Sequence, residues 1–491
     1  MSDGVAGRDV GPTSTPRLSP VTMACYGFGQ MAEALVTTGF TVFLLFYYNQ
    51  VLVLPGGLAG LALAIALAVD ATTDPLVGAL SDRLRSSWGR RHPFMALAAV
   101  PLALSFWAVF NPPAGLSTGA LFAWLTIFAV LTRLALTLYA VPHLALGAEL
   151  ARDYGERSTI FSFNLLFGSI GSLFGGALSL RCFFPSRESL RIGLLDANGY
   201  PAFSATFAVL MVVAIFVSVW GTRNEIPRLP GAEPALPRLT LARLGADLGA
   251  AFANRSFRAL FFGISLSAVA AAIEAALAPF VGTHFWGLTT ERLALLPLCT
   301  FAGIVAGMFL VAPVTSRLDR KTTLIGAALI AIVAGHALVV IRLIAPDRLP
   351  DRGSDPIVIL VGLAALAVGV MGPLVFANLN AMFADIVDEH ELFTGERREG
   401  IIFSARTFVV KAAQSIGVVL GGLTLDAIRF PKNAEMDAVS SEVLWRLGLA
   451  QGLVASSLTL LGVVLYARYR LDRARHASIL AQLATRHRTI R

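Results

Sequence analysis

Long apolar runs recur along the chain, separated by short polar breaks. Twelve of them are centred near Thr38, Ala66, Leu104, Phe128, Gly171, Val213, Val269, Gly303, Ala331, Ala364, Val419 and Leu460. Crossing a bilayer core takes roughly 20 apolar residues per helix, and a helix satisfies every backbone polar group within lipid. The pattern predicts an all-α membrane protein with twelve transmembrane helices. The longest break, Thr222 to Arg255, holds Pro227, Pro230, Pro234 and Pro237 and splits the spans six and six. The expected organisation is a six-helix half over 1–221, a linker over 222–255, a second six-helix half over 256–470, and a basic tail over 471–491. In the linker, Leu239, Leu241, Leu244, Leu248 and Phe252 have rough helical spacing with basic residues between them, the pattern of an amphipathic surface helix. The halves echo each other: Ser81-Asp-Arg-Leu-Arg follows span two, and Thr315-Ser-Arg-Leu-Asp-Arg-Lys follows span eight. Such a repeat predicts a transporter with its site near the midplane, between the halves.

Composition sharpens this picture. Of 491 residues, 56% are hydrophobic and only 14% are charged, against roughly a quarter charged in soluble domains. The net charge of +8 sits in short clusters such as Arg83 to Arg91, Arg317 to Lys321 and the tail. Basic residues in alternate loops follow the positive-inside pattern. They predict a multi-pass protein of a bacterial-type inner membrane, in contact with membrane lipid, with both termini cytoplasmic. A nucleic-acid binder needs one continuous basic face, so no nucleic-acid partner is expected. Cys25, Cys182 and Cys299 show neither metal spacing nor a disulfide framework. No nucleophile–base set or metal cluster argues for an enzyme or a bound cofactor, and a monomer is expected.

The informative residues are charges inside apolar runs, which are costly and hence functional candidates. Asp70 and Asp74 lie four apart in span two, on one helical face. Two such anions repel unless a cation or proton joins them; Thr73 and Thr137 offer neutral oxygens nearby. Lys411 lies mid-span eleven, with Arg406 nearer its start, and Lys411 is expected to neutralise the acid pair across the halves. Glu33 in span one and Glu274 in span seven occupy corresponding places in the repeat and are expected to face each other across the cavity, with Arg133 a partner for Glu33. Asn164, Asn378 and Asn380 are candidate cavity residues. His143, after Pro142, reads as a hydrogen-bonded structural histidine. Asp82, Arg83, Arg90, Arg91, Glu149, Asp153, Arg157 and Asp385 sit at loops and read as ion-pair locks closing the inner side.

Asp70-Ala-Thr-Thr-Asp74-Pro-Leu-Val-Gly-Ala-Leu-Ser-Asp-Arg-Leu-Arg-Ser-Ser-Trp-Gly-Arg-Arg-His-Pro resembles the signature of the glycoside-pentoside-hexuronide:cation symporters, of major facilitator fold. Tyr26-Gly-Phe-Gly, Val141-Pro-His-Leu-Ala-Leu-Gly-Ala-Glu-Leu, Asp153-Tyr-Gly-Glu-Arg, Ala384-Asp-Ile-Val-Asp-Glu and Val410-Lys411 extend the likeness along the chain. The resemblance implies a cation site at Asp70, Asp74, Thr137 and, with a changed residue type, Thr73, and a membrane lysine at Lys411. It implies symport of a small organic solute with a monovalent cation, Na+ or H+. The sugar site transfers poorly: the family's sugar-binding acids fall at Ala140 and at Ala34, beside Glu33, and an aromatic falls at Leu144. The vertebrate lysophospholipid symporters also resemble the chain around the span-two acids, so an amphiphile is the alternative solute. A non-transporting membrane sensor would need neither the acid pair nor the loop locks.

Overall fold

The computed structural model describes residues 18–490 except 152–153, 189, 230–248, 250 and 396–398. Among the described residues, twelve helices are long and apolar enough to cross a membrane. They are α1 (Pro20–Val51), α2 (Gly56–Arg83), α3 (His92–Val109), α4 (Thr118–Leu150), α5 (Thr159–Phe183), α6 (Gly199–Arg228), α7 (Arg255–Phe285), α8 (Thr290–Arg317), α9 (Arg320–Ile344), α10 (Asp355–Thr394), α11 (Ile402–Ala427) and α12 (Ser441–Tyr466). A further helix, α13 (Arg473–Ile490), follows. Every span centre read from the sequence falls inside one of the twelve. Of the amphipathic linker segment, Leu239, Leu241, Leu244 and Leu248 lie outside the described residues.

Helix starts follow local chemistry. Side-chain oxygens of Ser19, Ser117, Asn254, Asp319 and Ser440 accept backbone N–H groups at the starts of α1, α4, α7, α9 and α12, satisfying donors that a helix leaves unpaired. Small residues let helices approach. A Cβ at Gly171 of α5 would lie 3.0 Å from the Ala34 Cβ of α1, and one at Gly175 would lie 3.1 Å from Thr38. Wide π-helical turns end α1 at Tyr47–Val51 and α7 at Val281–Phe285, the same place in each half. Phe43, Phe106, Phe203 and Phe207 pack as a ring cluster inside the first half.

The described chain ends and the loops at Arg83–Arg91 and Arg317–Lys321 share one face, called here the basic face, while Arg187, Arg191, Arg348 and Arg352 lie at the opposite one. Near the opposite face the halves are sewn together. The Asp426 carboxylate at the end of α11 accepts the Gly56 N–H at 2.8 Å and the Gly57 N–H at 2.6 Å, capping α2 from the other half. The Gln50 amide donates to the Pro431 carbonyl at 3.1 Å. Glu291 accepts from the Ser186 N–H at 2.5 Å, and Thr290 accepts from the Gly193 N–H at 2.8 Å. A Cβ at Gly60 of α2 would come within 2.8 Å of the Val418 carbonyl of α11, so only glycine permits this crossing. The opposite face is closed.

Candidate functional site

Helix α2 runs unbroken through Asp70 and Asp74 and continues past Pro75. Both carboxylates face α4 and α11. The Thr137 hydroxyl of α4 lies 2.8 Å from Asp70 Oδ1 and 3.1 Å from Asp74 Oδ1. Lys411 Nζ of α11 lies 2.9 Å from Asp70 Oδ2 and also binds Asp74 Oδ2. Asp70 is 5% exposed and Thr137 1%, so bulk water does little to screen Asp70, whereas the Asp74 and Lys411 side chains are partly exposed. Two carboxylates against one ammonium leave the cluster one negative charge in excess. The cluster also joins the halves at the midplane, since only Lys411 comes from the second half. Thr73 sits apart from this arrangement: its hydroxyl donates to the Val69 carbonyl at 2.9 Å, one turn back on its own helix.

Beside the cluster lies a cavity of about 950 Å³ bounded by α1, α5, α7 and α8. Glu33 lines it, held by the Gln30 amide at 2.9 Å, and Asn164 donates to Gln30 at 3.0 Å. Much of the rest is apolar, including Phe161, Leu165, Leu296 and Phe301. A second cavity of about 320 Å³ shares Thr37 and Thr41 with the first and is lined by Arg133 and Gln414. Arg133 lies over the Phe40 ring, 5.1 Å from its centre, and its buried Nε has no hydrogen-bond partner. Among the described residues it makes no ion pair with Glu33, so that expected pairing is corrected to a cation–ring contact.

Four other candidate residues meet neighbours that the sequence did not indicate, because each contact depends on the rotation of the helix about its axis. Glu274 pairs with His336 of α9 at 3.3 Å, inside the second half, and does not face Glu33. Asn378 donates to the Leu374 carbonyl at 2.8 Å and reaches Thr315 of α8 at 3.5 Å, so it is held within the second half; Asn380 donates to Phe376 on its own helix. Arg406 lies against the Phe376 and Phe383 rings of α10, 5.9 and 5.6 Å from their centres, and does not join Lys411. His143 bonds the Tyr26 carbonyl at 2.9 Å and stacks on Tyr26 and Tyr139, a packed core histidine.

On the basic face, Arg90, Arg91 and Arg320 each hold an acid of their own half. Arg90 and Arg91 hold Glu149 at 2.9 and 2.7 Å, and Arg91 holds Asp82 at 2.5 Å, all in the first half. Arg320 pairs with Asp385 in the second half. These pairs brace each half, while the seal lies on the opposite face. Arg83 and Arg157 are exposed, and Asp153 lies outside the described residues. Gln30, Gln414 and Asp426 were not singled out in the sequence. Gln30 stands one turn before Glu33, a spacing that marks it in hindsight.

Two six-helix halves closed on one face, with a charged cluster and a cavity between them, define a membrane carrier. The chain belongs to the MFS/sugar transport protein family, whose pattern matches residues 25–473. It is 26% identical over 553 aligned residues to the uncharacterized symporter sll1374 of Synechocystis sp., covering 96% of this chain and 98% of that one. It is 24% identical to the sodium-dependent lysophosphatidylcholine symporter 1 of Gallus gallus, covering 94% and 88%. In fold it is similar to a mutant form of the nucleoside transporter NupG, with a TM-score of 0.58 at 16% identity over 92% of this chain and all of that one.

Proposed function

We propose that this secondary transporter couples entry of a monovalent cation, Na+ or H+, to transport of a glycoside-like organic solute. The observation that carries the reading is Lys411 Nζ bridging Asp70 and Asp74 across the halves. A cation entering between the carboxylates takes oxygens from Asp70, Asp74 and Thr137 and displaces the ammonium. Because Lys411 belongs to the other half, that displacement biases the two halves between their arrangements, and only such differential binding drives a conformational change. Rocking about the midplane then exposes the site to each side in turn. Following the positive-inside pattern, the basic face is cytoplasmic, both termini lie inside, and the state described is closed to the exterior.

Glu33, set by Gln30 and Asn164, offers the cavity's carboxylate to solute hydroxyls. The test is uptake into proteoliposomes under imposed sodium or proton gradients, with a panel of glycosides. Gradient-dependent accumulation of at least one supports the reading; a protein that moves solutes at equal rates with and without either gradient refutes the coupling. A second reading, transport of a lysophospholipid, is favoured by the apolar walls contributed by Phe161, Leu165, Leu296 and Phe301. The same assay with lysophosphatidylcholine separates the two.

A further inference from the structure

On the basic face, away from the midplane cluster, α7, α9 and the end of α12 enclose a recess of about 700 Å³. Arg255, Arg258, Lys321, Arg468 and Arg470 line it, with Phe262 beneath them. Among the described residues none of these five cations forms an ion pair, whereas the nearby Arg320 and Arg475 are paired with Asp385 and Glu389. Five uncompensated positive charges around one concavity repel one another and create a field that favours an anion.

The fold holds this arrangement in place. Lys321 Nζ donates to the Tyr469 carbonyl at 2.9 Å, and the Tyr469 hydroxyl reaches Asp385 at 3.3 Å. The Arg470 N–H lies 3.4 Å from the Ser256 hydroxyl at the start of α7. The Arg468–Arg470 strap is therefore pinned at both α7 and α9. Helices α7 and α12 cross closely at Gly263 and Gly462, where a Cβ on Gly462 would lie 2.9 Å from the Gly263 carbonyl.

The two helices carry matching stripes. On α7, Arg255, Arg258, Ala259 and Phe262 fall at helical spacing on one side. On α12, Leu461, Val464 and Leu465 do the same in the reverse direction, and Arg468 follows in the turn just past the helix end. Each stripe runs from arginine at the face to apolar side chains one or two turns deeper. Phe262 and Leu461 are each half exposed and Val464 nearly so, so these positions open onto the lipid-facing surface. A soluble anion would be matched by the arginines alone. Charged recess and apolar stripe together match a molecule with a phosphate head and acyl chains.

We infer that this recess is a binding site for an anionic phospholipid of the surrounding leaflet, its phosphate held by Arg258 and Arg468 and its chains laid along Phe262 and Leu461. A juxtamembrane cation contributes roughly 1 kcal/mol to anionic lipid binding, so replacing two cuts affinity about 30-fold. The experiment is native mass spectrometry of the full-length protein with phosphatidylglycerol, diphosphatidylglycerol, phosphatidylcholine or inorganic phosphate added. Retention of the two anionic lipids but not phosphatidylcholine is expected, lowered about 30-fold in Arg258→Gln/Arg468→Gln. The Arg258→Lys/Arg468→Lys pair keeps the charge and is expected to keep most of the lipid, separating loss of the site from misfolding. The control Arg85→Gln/Arg223→Gln, cations of the same face outside the recess, is expected to bind as wild type. Equal loss in that control, equal retention of phosphatidylcholine, undiminished binding in the glutamine pair, or displacement of lipid by inorganic phosphate at equal concentration would each overturn the assignment.

Discussion

The two halves share a fold but not a chemistry. The first half places Asp70, Asp74, Thr137 and Glu33 toward the centre of the molecule, while the second contributes Lys411 alone to the charged cluster. The other second-half candidates, Glu274, Asn378 and Arg406, are engaged by neighbours in their own half. Under the proposed coupling, the difference teaches where it resides: one half holds the oxygens offered to a cation, and the other holds the charge that stands in for it. A site built wholly within one half could bind a cation without sensing how the halves are arranged.

The largest break comes from removing an acid. A charged oxygen ligand is worth up to about 3 kcal/mol, so Asp74→Asn or Asp70→Asn, which leaves the cation one carboxylate already paired with Lys411, lowers gradient-driven uptake by up to about 100-fold, measured as initial rates in proteoliposomes. Lys411→Ala is next and differs in kind. It leaves the carboxylates and Thr137 in place, so cation binding persists while accumulation against a gradient is lost and solute exchange continues. Loss of cation binding in that variant would mean that the lysine organises the site and does not merely occupy it.

Glu33→Gln sharpens the split between cation and solute. A hydrogen bond to a charged group is worth about 1.5–3 kcal/mol, so solute affinity falls about tenfold or more while cation affinity stays within about twofold of wild type, both read by binding isotherms. The opposite-face seal gives a smaller effect. Removing a helix cap costs about 1 kcal/mol, and Asp426 caps α2 from the other half. Asp426→Ala therefore raises external labelling of a Thr41→Cys reporter about fivefold, in a background lacking Cys25, Cys182 and Cys299. The seal has a second charged member, Lys432, 3.9 Å from Asp426. Burial lowers its pKa from the usual lysine value, and the Asp426 charge opposes that shift.

The spans were legible because apolar length is a one-dimensional property, and lipid enforces it without reference to tertiary contacts. Asp70, Asp74 and Lys411 were legible for the same reason, as charges standing out against an apolar background. Pairing was harder to read. Glu274 and Arg406 stand out equally well in the sequence, but which neighbour each meets depends on how its helix is rotated and packed, which no local pattern records. The loop acids and arginines likewise announce ion pairs, yet not whether a pair closes within a half or between halves. Asp426 and Gln30 escaped notice because a polar residue near a helix end or in a polar-flanked span looks ordinary until its partner is known.

The central claim is that Asp70 and Asp74 receive the cation that displaces Lys411. Its most direct test is calorimetric titration of the purified protein with sodium, paired with proton uptake on acidification, for wild type and Asp74→Asn. The account predicts saturable sodium binding, or in its place a discrete proton uptake, in wild type, and its loss in the variant. A folded wild type that takes up neither ion, or a variant that binds as wild type does, would contradict it.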